Sequence, residues 1–201
     1  MKKNSKLFSL VVLFAALSLP LSAQALPGID LSAGLVGGFG TAHADFGDLE
    51  EPEGVDYSLS AYGLGVTLKI LMVEAEFNAL YHTTTISGEG SGDQSYSHLA
   101  LPLIARLDLS PIPLVSFAVG AGLEPRIFLS QSEDSAFDEI YEGNTLYLPL
   151  SLKVGVSIPG VGLGVTGEAR YSHQLSPLFT KDSGFDEVRM HNTMFFLGIT
   201  F

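Results

Sequence analysis

The final segment of this chain alternates so strictly that it constrains the whole fold. Between residues 192 and 201, every second side chain belongs to a set that ends on an aromatic residue: Thr193, Phe195, Leu197, Ile199 and Phe201. The residues between them are Asn192, Met194, Phe196, Gly198 and Thr200. A period of two is that of a β-strand, because successive side chains of a strand point to opposite faces. We therefore predict a terminal strand with one face turned toward an apolar environment.

Residues 1–25 have the features of a removable secretory signal. Lys2, Lys3 and Lys6 precede an apolar run at 7–21, and residues 22–25 supply a small-x-small cleavage pattern. A membrane-spanning helix needs about 20 apolar residues, so this run is short for a retained anchor, which is the alternative. We expect a cleaved signal peptide at 1–25 and a single exported domain at 26–201.

The composition of the exported part favours a closed β-barrel. The chain is 46% hydrophobic and 16% charged, yet no later apolar stretch is long enough for a spanning helix. In hydrocarbon every backbone N–H and C=O must be paired within the protein, and only helices and closed sheets achieve this. The chain contains no cysteine, so neither a disulfide framework nor a lipid-modified cysteine is expected. A soluble ligand-binding barrel is the competing fold.

Alternation recurs often enough to predict an eight-stranded antiparallel up-and-down transmembrane barrel. The candidate strands lie near residues 31–39, 62–68, 73–82, 99–108, 115–126, 146–156, 163–171 and 192–201. In the third strand, Val73, Ala75, Phe77, Ala79 and Tyr81 oppose Glu74, Glu76, Asn78 and His82. Lipid on one face and a polar lumen on the other explain this division. Leu59 and Ala61 disagree in parity with Tyr62, which predicts either a β-bulge or a strand extension above the membrane.

The connections between these strands alternate in length. Short turns are expected at 69–72, 110–113 and 158–162, and long outer loops at 42–56, 83–97, 130–144 and 174–189. The four long loops contain 16 of the 22 acidic residues. Such loops could attract divalent cations or a basic extracellular ligand, whereas solvation of an exposed surface is the simpler explanation. Their charge excludes nucleic acid, which requires a basic surface.

Charged residues also occur at lumen-facing positions, and their signs nearly balance. Five acids face four bases: Glu74, Glu76, Asp108, Glu124 and Glu168 against Arg106, Arg126, Lys153 and Arg170. Charges in a narrow interior persist only when they are paired and hydrogen-bonded. An eight-stranded barrel is just wide enough for side chains to fill it. We therefore predict a charge-paired, plugged lumen, with a catalytic or proton-relay site as the alternative.

The histidines give no strong indication of a metal or catalytic site. His82 and His98 are both predicted to face inward at the outer end, with Glu76 as a distant candidate third ligand, which is too little to predict a metal site. Ser97 and Ser172 each precede a histidine, but adjacent strand residues face opposite ways, so neither pair forms a nucleophile and base. His173 and His191, with Tyr81, Tyr96 and Tyr171, are expected to form an interfacial girdle. No cofactor is predicted.

Taken with the signal, the eight alternating strands and the charged lumen, segment 194–201 resembles the small outer-membrane β-barrel superfamily of OmpA-, OmpX- and OmpW-type proteins. The resemblance implies a location in the bacterial outer membrane and contact with outer-membrane lipid. It also implies that Phe195, Leu197, Ile199 and Phe201 form the signal read by the barrel-assembly machinery.

Three functional classes remain open after this resemblance is taken into account, because a fold does not determine a function. The leading one is a non-enzymatic barrel with an envelope-structural or surface-interaction role through its acidic loops. The second is an OmpW-like conduit for small hydrophobic molecules, which would need an apolar pocket with a lateral exit. The third is a lipid-modifying outer-membrane enzyme, which would need a nucleophile hydrogen-bonded to a histidine at the rim.

Overall fold

Long β-strands make up almost all of the chain that the structure describes. The computed structural model describes residues 29–45, 54–88, 91–110, 114–132, 144–158, 160, 162–176 and 189–201. The strands are β1 (Ile29–Asp45), β2 (Val55–Ile70), β3 (Val73–Gly88), β4 (Ser91–Ala100), β5 (Leu103–Asp108), β6 (Val115–Gln131), β7 (Thr145–Ile158), β8 (Leu163–Gln174) and β9 (Arg189–Thr200). No helix within the described ranges is long and apolar enough to cross a membrane.

The strands close into a ring in which sequential neighbours pair antiparallel. β1 pairs with both β2 and β9, while β2 pairs with β3 and the ring continues through β6, β7 and β8 to β9. Both β4 and β5 pair with β3 on one side and with β6 on the other. They are two parts of one wall position, so the ring has eight positions and the predicted up-and-down barrel is confirmed.

The predicted fourth strand is not continuous, however. It is divided at Leu101 and Pro102, because proline has no backbone N–H to donate to a ladder. The wall is nevertheless hydrogen-bonded across the break. Asn78 N donates to Pro102 O at 3.0 Å, and Leu101 N donates to Pro125 O at 2.9 Å. The register with β3 is the same on both sides of the break.

The outer surface of the barrel is apolar in a band around the middle of the wall. Outward side chains such as Phe39, Leu103, Leu150 and Leu197 are 49–69% exposed. Large apolar side chains that face outward on all sides are stable only in a nonaqueous environment. The charged residues between them point inward and are buried. This arrangement confirms the predicted polar lumen and argues against a soluble barrel.

One of the two explanations for the parity of Leu59 and Ala61 is wrong, and so is one predicted loop. Leu59 and Ala61 do not mark a bulge: β2 pairs with β1 and β3 in an uninterrupted register, and both side chains are buried inside the barrel. The segment 83–97 is not a long loop, because β3 and β4 pair as far as Gly88 and Ser91. The β-branched residues at 83–86 favour extended backbone, and polar strand surface is tolerated where a hairpin rises above the lipid.

The turn between β2 and β3, at the opposite end of the barrel, is tighter than expected. Ile70 pairs with Val73, so only Leu71 and Met72 form the turn, and Leu71 adopts a positive φ of 54°. The predicted signal peptide at 1–25 lies outside the described residues. So do most of the 16 acidic loop residues, of which only Asp45, Asp56 and Asp93 are described.

Candidate functional site

Arg106 is the centre of a buried ionic network in the lumen. β5 points its guanidinium inward, where Nη1 lies 2.9 Å from Glu74 Oε1 and 2.8 Å from Glu76 Oε2, and Nη2 lies 2.9 Å from Glu168 Oε1. Its Nε donates to Ser151 Oγ at 2.8 Å. Gly120 on β6 makes this possible, because a Cβ there would lie 2.6 Å from Arg106 Cγ. One arginine therefore joins acids from β3 and β8.

Lys153 on β7 binds the same two acids of β3. Its Nζ lies 2.8 Å from Glu74 Oε1 and 2.6 Å from Glu76 Oε2. Asn78 Nδ2 donates to the other oxygen of Glu76 at 2.6 Å. Multiple charge-assisted contacts of this kind are what a buried carboxylate needs to remain ionised.

The network continues toward the outer end through two further arginines. Arg170 Nε lies 2.9 Å from Glu168 Oε1, and its Nη1 lies 3.6 Å from Glu124 Oε2. Arg126 Nη2 lies 2.6 Å from Glu124 Oε1, and its guanidinium covers the Tyr147 ring at 4.0 Å. With its amide oxygen turned toward Arg126, Asn192 accepts from Nη1 at 2.8 Å and from Nη2 at 2.9 Å.

Asp108 does not join this network. It lies at the end of the barrel with the short turns, where it accepts hydrogen bonds from Lys69 and Ser110. Sequence reasoning missed Lys69 because it was assigned to the turn at 69–72. Its parity with Thr67 on β2 was the signal that could have placed it in the lumen.

The other side of the lumen holds an apolar cluster that the inward parity of Val36, Met194 and Phe196 indicates only in part. Its buried members are Leu59, Ala61, Leu80, Ala100, Met194 and Phe196, and Val36 and Ala42 pack against them. Gly38 on β1 faces Phe196 so closely that a Cβ there would lie 2.7 Å from Phe196 Cε1. Phe196 also meets the ionic side, because the Arg170 guanidinium lies 4.5 Å from the centre of its ring.

Little empty space is left between these two sides. The cavity between Gly34, Glu76, Lys153 and Phe196 has a volume of about 30 Å³, room for one water molecule. A larger, open hollow of about 420 Å³ lies along the wall of β6, β7 and β8. Its lining combines outward residues such as Leu150 and Tyr171 with the inward residues Gly120, Ser151 and Arg170. Within the described part of the chain, buried charged and apolar side chains therefore occupy most of the lumen.

At the outer end, two pairs of histidines face one another across strands. His82 on β3 is paired with His98 on β4, both rings face inward, and neither His82 ring nitrogen has a hydrogen-bond partner. On the outer wall, His173 on β8 is paired with His191 on β9. Their Nδ1 atoms are 3.0 Å apart. Among the described residues, no three histidine, aspartate or glutamate side chains converge to hold a metal ion.

Two solved structures share this architecture. Neisserial surface protein A (NspA) superposes with a TM-score of 0.54 at 11% identity, covering 86% of this chain and 97% of that one. The outer membrane protein OprG from Pseudomonas aeruginosa superposes with a TM-score of 0.52 at 12% identity, covering 86% and 94%. This chain has the fold of a small outer-membrane β-barrel. No protein-family model matches the sequence, and no curated protein matches it.

In this barrel, the predicted assembly signal lies on the outward-facing side of β9. Phe195, Leu197 and Ile199 are 52%, 69% and 52% exposed. Phe201 is joined to Ala33 of β1 by two backbone hydrogen bonds, of 2.9 and 3.1 Å. Their role as an assembly signal stays a prediction.

The rim of the barrel differs from the predicted girdle at one position. Tyr81 and Tyr171 face outward, but Tyr96 is buried in the lumen, where its hydroxyl donates to Gln94. The register explains this, because Tyr96 lies opposite the inward-facing Thr84. Ser97 lies on the other face and accepts a hydrogen bond of 2.7 Å from Tyr81, not from a histidine.

Proposed function

We propose that this protein is a non-enzymatic barrel of the bacterial outer membrane with an envelope-structural or surface-interaction role. The observation that carries the proposal is the filled lumen. Charged side chains from β3, β5, β6, β7 and β8 pair across one side, and apolar side chains fill the other. A filled interior gives a rigid support for the outer hairpins and leaves little space for a substrate.

One neighbour with this fold is named a surface protein and the other an outer membrane protein, which supports the proposed location. The acidic outer segments then face the extracellular medium, where they are available to divalent cations or to a basic ligand. Export through the cleaved signal at 1–25 and insertion by the barrel-assembly machinery are part of the same proposal.

Orientation in the membrane can be tested by cysteine labelling, since the chain contains no cysteine of its own. Asp93→Cys places a thiol on the outer hairpin, and Leu71→Cys places one in the short turn at the opposite end. In intact cells, a membrane-impermeant maleimide should label Asp93→Cys and leave Leu71→Cys unlabelled until the cells are opened. Labelling of Leu71→Cys alone would contradict the proposed orientation.

The apolar cluster is the one observation that favours a conduit for small hydrophobic molecules. Two features weigh against it. Leu80 and Phe196 are 1% and 3% exposed, so these side chains contact one another instead of lining a passage. The break at Pro102 is closed by hydrogen bonds from Asn78 and Leu101. The side chains of the apolar cluster therefore pack the interior of the barrel and do not line a passage.

Vesicle transport distinguishes the two functions. We expect vesicles that contain the refolded wild-type protein to take up a small apolar fluorophore no faster than vesicles without protein. Phe196→Ala removes a buried ring from the lumen, and Phe195→Ala is the matched control because the adjacent ring faces lipid. Only Phe196→Ala should raise uptake or ion conductance. Fast uptake by the wild type would overturn the plugged-barrel proposal and favour the conduit.

A further inference from the structure

The outer wall carries three histidines in a row at one level, one on each of three neighbouring strands. Cross-strand pairing places His43 on β1 opposite His191 on β9, and His191 opposite His173 on β8. All three lie on the outward face, one step beyond Thr41 and Thr193, where the apolar surface ends. This row is accessible from the aqueous side of the interface.

Two polar atoms from β8 lie beside Nδ1 of the His191 ring. Nδ1 of His173 lies 3.0 Å from Nδ1 of His191, and Oη of Tyr171 lies 3.1 Å from the same atom. The two histidine rings are 4.7 Å apart between centroids. A neutral imidazole nitrogen carries either one proton or one lone pair. His191 Nδ1 can therefore form a good hydrogen bond with only one of its two neighbours, His173 Nδ1 or Tyr171 Oη.

A metal ion would satisfy all three atoms at once. Two nitrogens on one tetrahedral ion are about 3.3 Å apart, given metal–nitrogen distances of about 2.0–2.1 Å. The observed separation of 3.0 Å between the two Nδ1 atoms is close to that value. Imidazole nitrogens with a phenolic oxygen suit Cu²⁺ and Zn²⁺, and Cu²⁺ binds nitrogen ligands most tightly among the divalent first-row metals.

The opposite edge of His191 supports metal binding at Nδ1. Oδ2 of Asp45 lies 3.9 Å from Nε2 of His191. A carboxylate on this side favours the tautomer with its proton on Nε2, which leaves the Nδ1 lone pair directed at His173 and Tyr171. Carboxylates commonly orient metal-binding histidines in this way.

We propose that His173, His191 and Tyr171 form a binding site for a divalent transition metal ion, Cu²⁺ above all, at the outer rim of the barrel. The site uses two histidines and a tyrosine, and it is separate from the inward-facing pair His82 and His98. It does not depend on the proposed structural role, because the metal would bind the outer wall and leave the lumen unchanged.

The test is titration of the refolded, tag-free protein in detergent with CuCl₂, followed by calorimetry and electron paramagnetic resonance. We expect one Cu²⁺ per barrel with hyperfine structure from two nitrogens. His173→Ala and His191→Ala should each weaken binding by about tenfold or more, and Tyr171→Phe should weaken it by a smaller factor. His43→Ala is the matched control, at the same level on the next strand, and should leave the affinity unchanged.

Each variant is first checked for folding by the mobility of unheated samples on gels, so that lost binding is not confused with lost structure. Binding that survives both His173→Ala and His191→Ala overturns the proposal. An equal loss in His43→Ala overturns the assigned ligand set, and the absence of any nitrogen hyperfine signal in the wild type overturns the proposal itself.

Discussion

Replacement of Arg106 by alanine is the most direct test of the ionic lumen. The residue is 2% exposed, and its guanidinium contacts Glu74, Glu76 and Glu168 at distances of 2.8–2.9 Å. Without it, these three carboxylates would share only the two remaining cations nearby. The wall itself would keep its hydrogen bonds, because alanine leaves the β5 backbone unchanged.

The size of the effect follows from burial. Removing one partner of a buried ion pair costs about 3–5 kcal/mol, since the other charge stays uncompensated in a low-dielectric environment. The lost hydrogen bond to Ser151 adds about 1 kcal/mol. We therefore expect Arg106→Ala to lower the free energy of unfolding by about 4–6 kcal/mol. Adding Glu76→Gln removes one uncompensated charge and should restore about 1–3 kcal/mol.

Unfolding in urea, with the protein in lipid vesicles, gives these free energies. The chain has no tryptophan, so circular dichroism and the mobility of unheated samples on gels are the appropriate signals. Lys69→Ala is the control, because this lysine is 34% exposed and its pair with Asp108 should contribute no more than about 1 kcal/mol. If Arg106→Ala were no more destabilising than Lys69→Ala, or if Glu76→Gln added to its cost, the ionic network would not stabilise the barrel.

Three further outcomes are expected. Gly38→Ala should destabilise the barrel by about 1–3 kcal/mol in urea unfolding, because the new Cβ would lie 2.8 Å from the backbone oxygen of Phe195. An unchanged free energy of unfolding would mean that β1 and β9 move apart at little cost. Leu71→Gly should stabilise it by up to about 1 kcal/mol, since glycine adopts a positive φ without the steric cost that leucine bears, and a loss of stability would contradict this. The folded protein should require detergent and migrate differently before and after heating, whereas a monodisperse detergent-free preparation would contradict the membrane assignment.

The sequence predicted those parts of the fold that depend on alternation alone. Glu74, Glu76 and Arg106 follow an unbroken period of two, so their inward direction could be inferred without knowing which strands are neighbours. Leu59 and Ala61 could not be placed in this way, because apolar residues inside the barrel look like lipid-facing residues in the wrong register. A lumen that is apolar on one side removes the contrast on which the inference depends.

The sequence did not predict which side chains touch across neighbouring strands. His173 and His191 lie on opposite sides of a connection whose length does not fix the register, and Tyr171 meets them only because β8 and β9 pair as they do. The extended hairpin of β3 and β4 was missed because its polar composition matches that of a loop. The composition of a segment shows whether it is exposed to water, but whether it forms a strand depends on the segment with which it pairs.

The two-sided lumen also explains how the strands select their register. A slip of β8 by one residue would turn Glu168 and Arg170 toward lipid, and an arginine near the centre of the bilayer costs about 2–4 kcal/mol. The same slip would leave Glu124 and Arg106 without their partners on β8. On β9, a slip would bring Met194 and Phe196 to the outside, where lipid accepts them at little cost. The ionic side therefore specifies the register more strongly than the apolar side, and wrong pairings are penalised most where β3, β5, β7 and β8 meet.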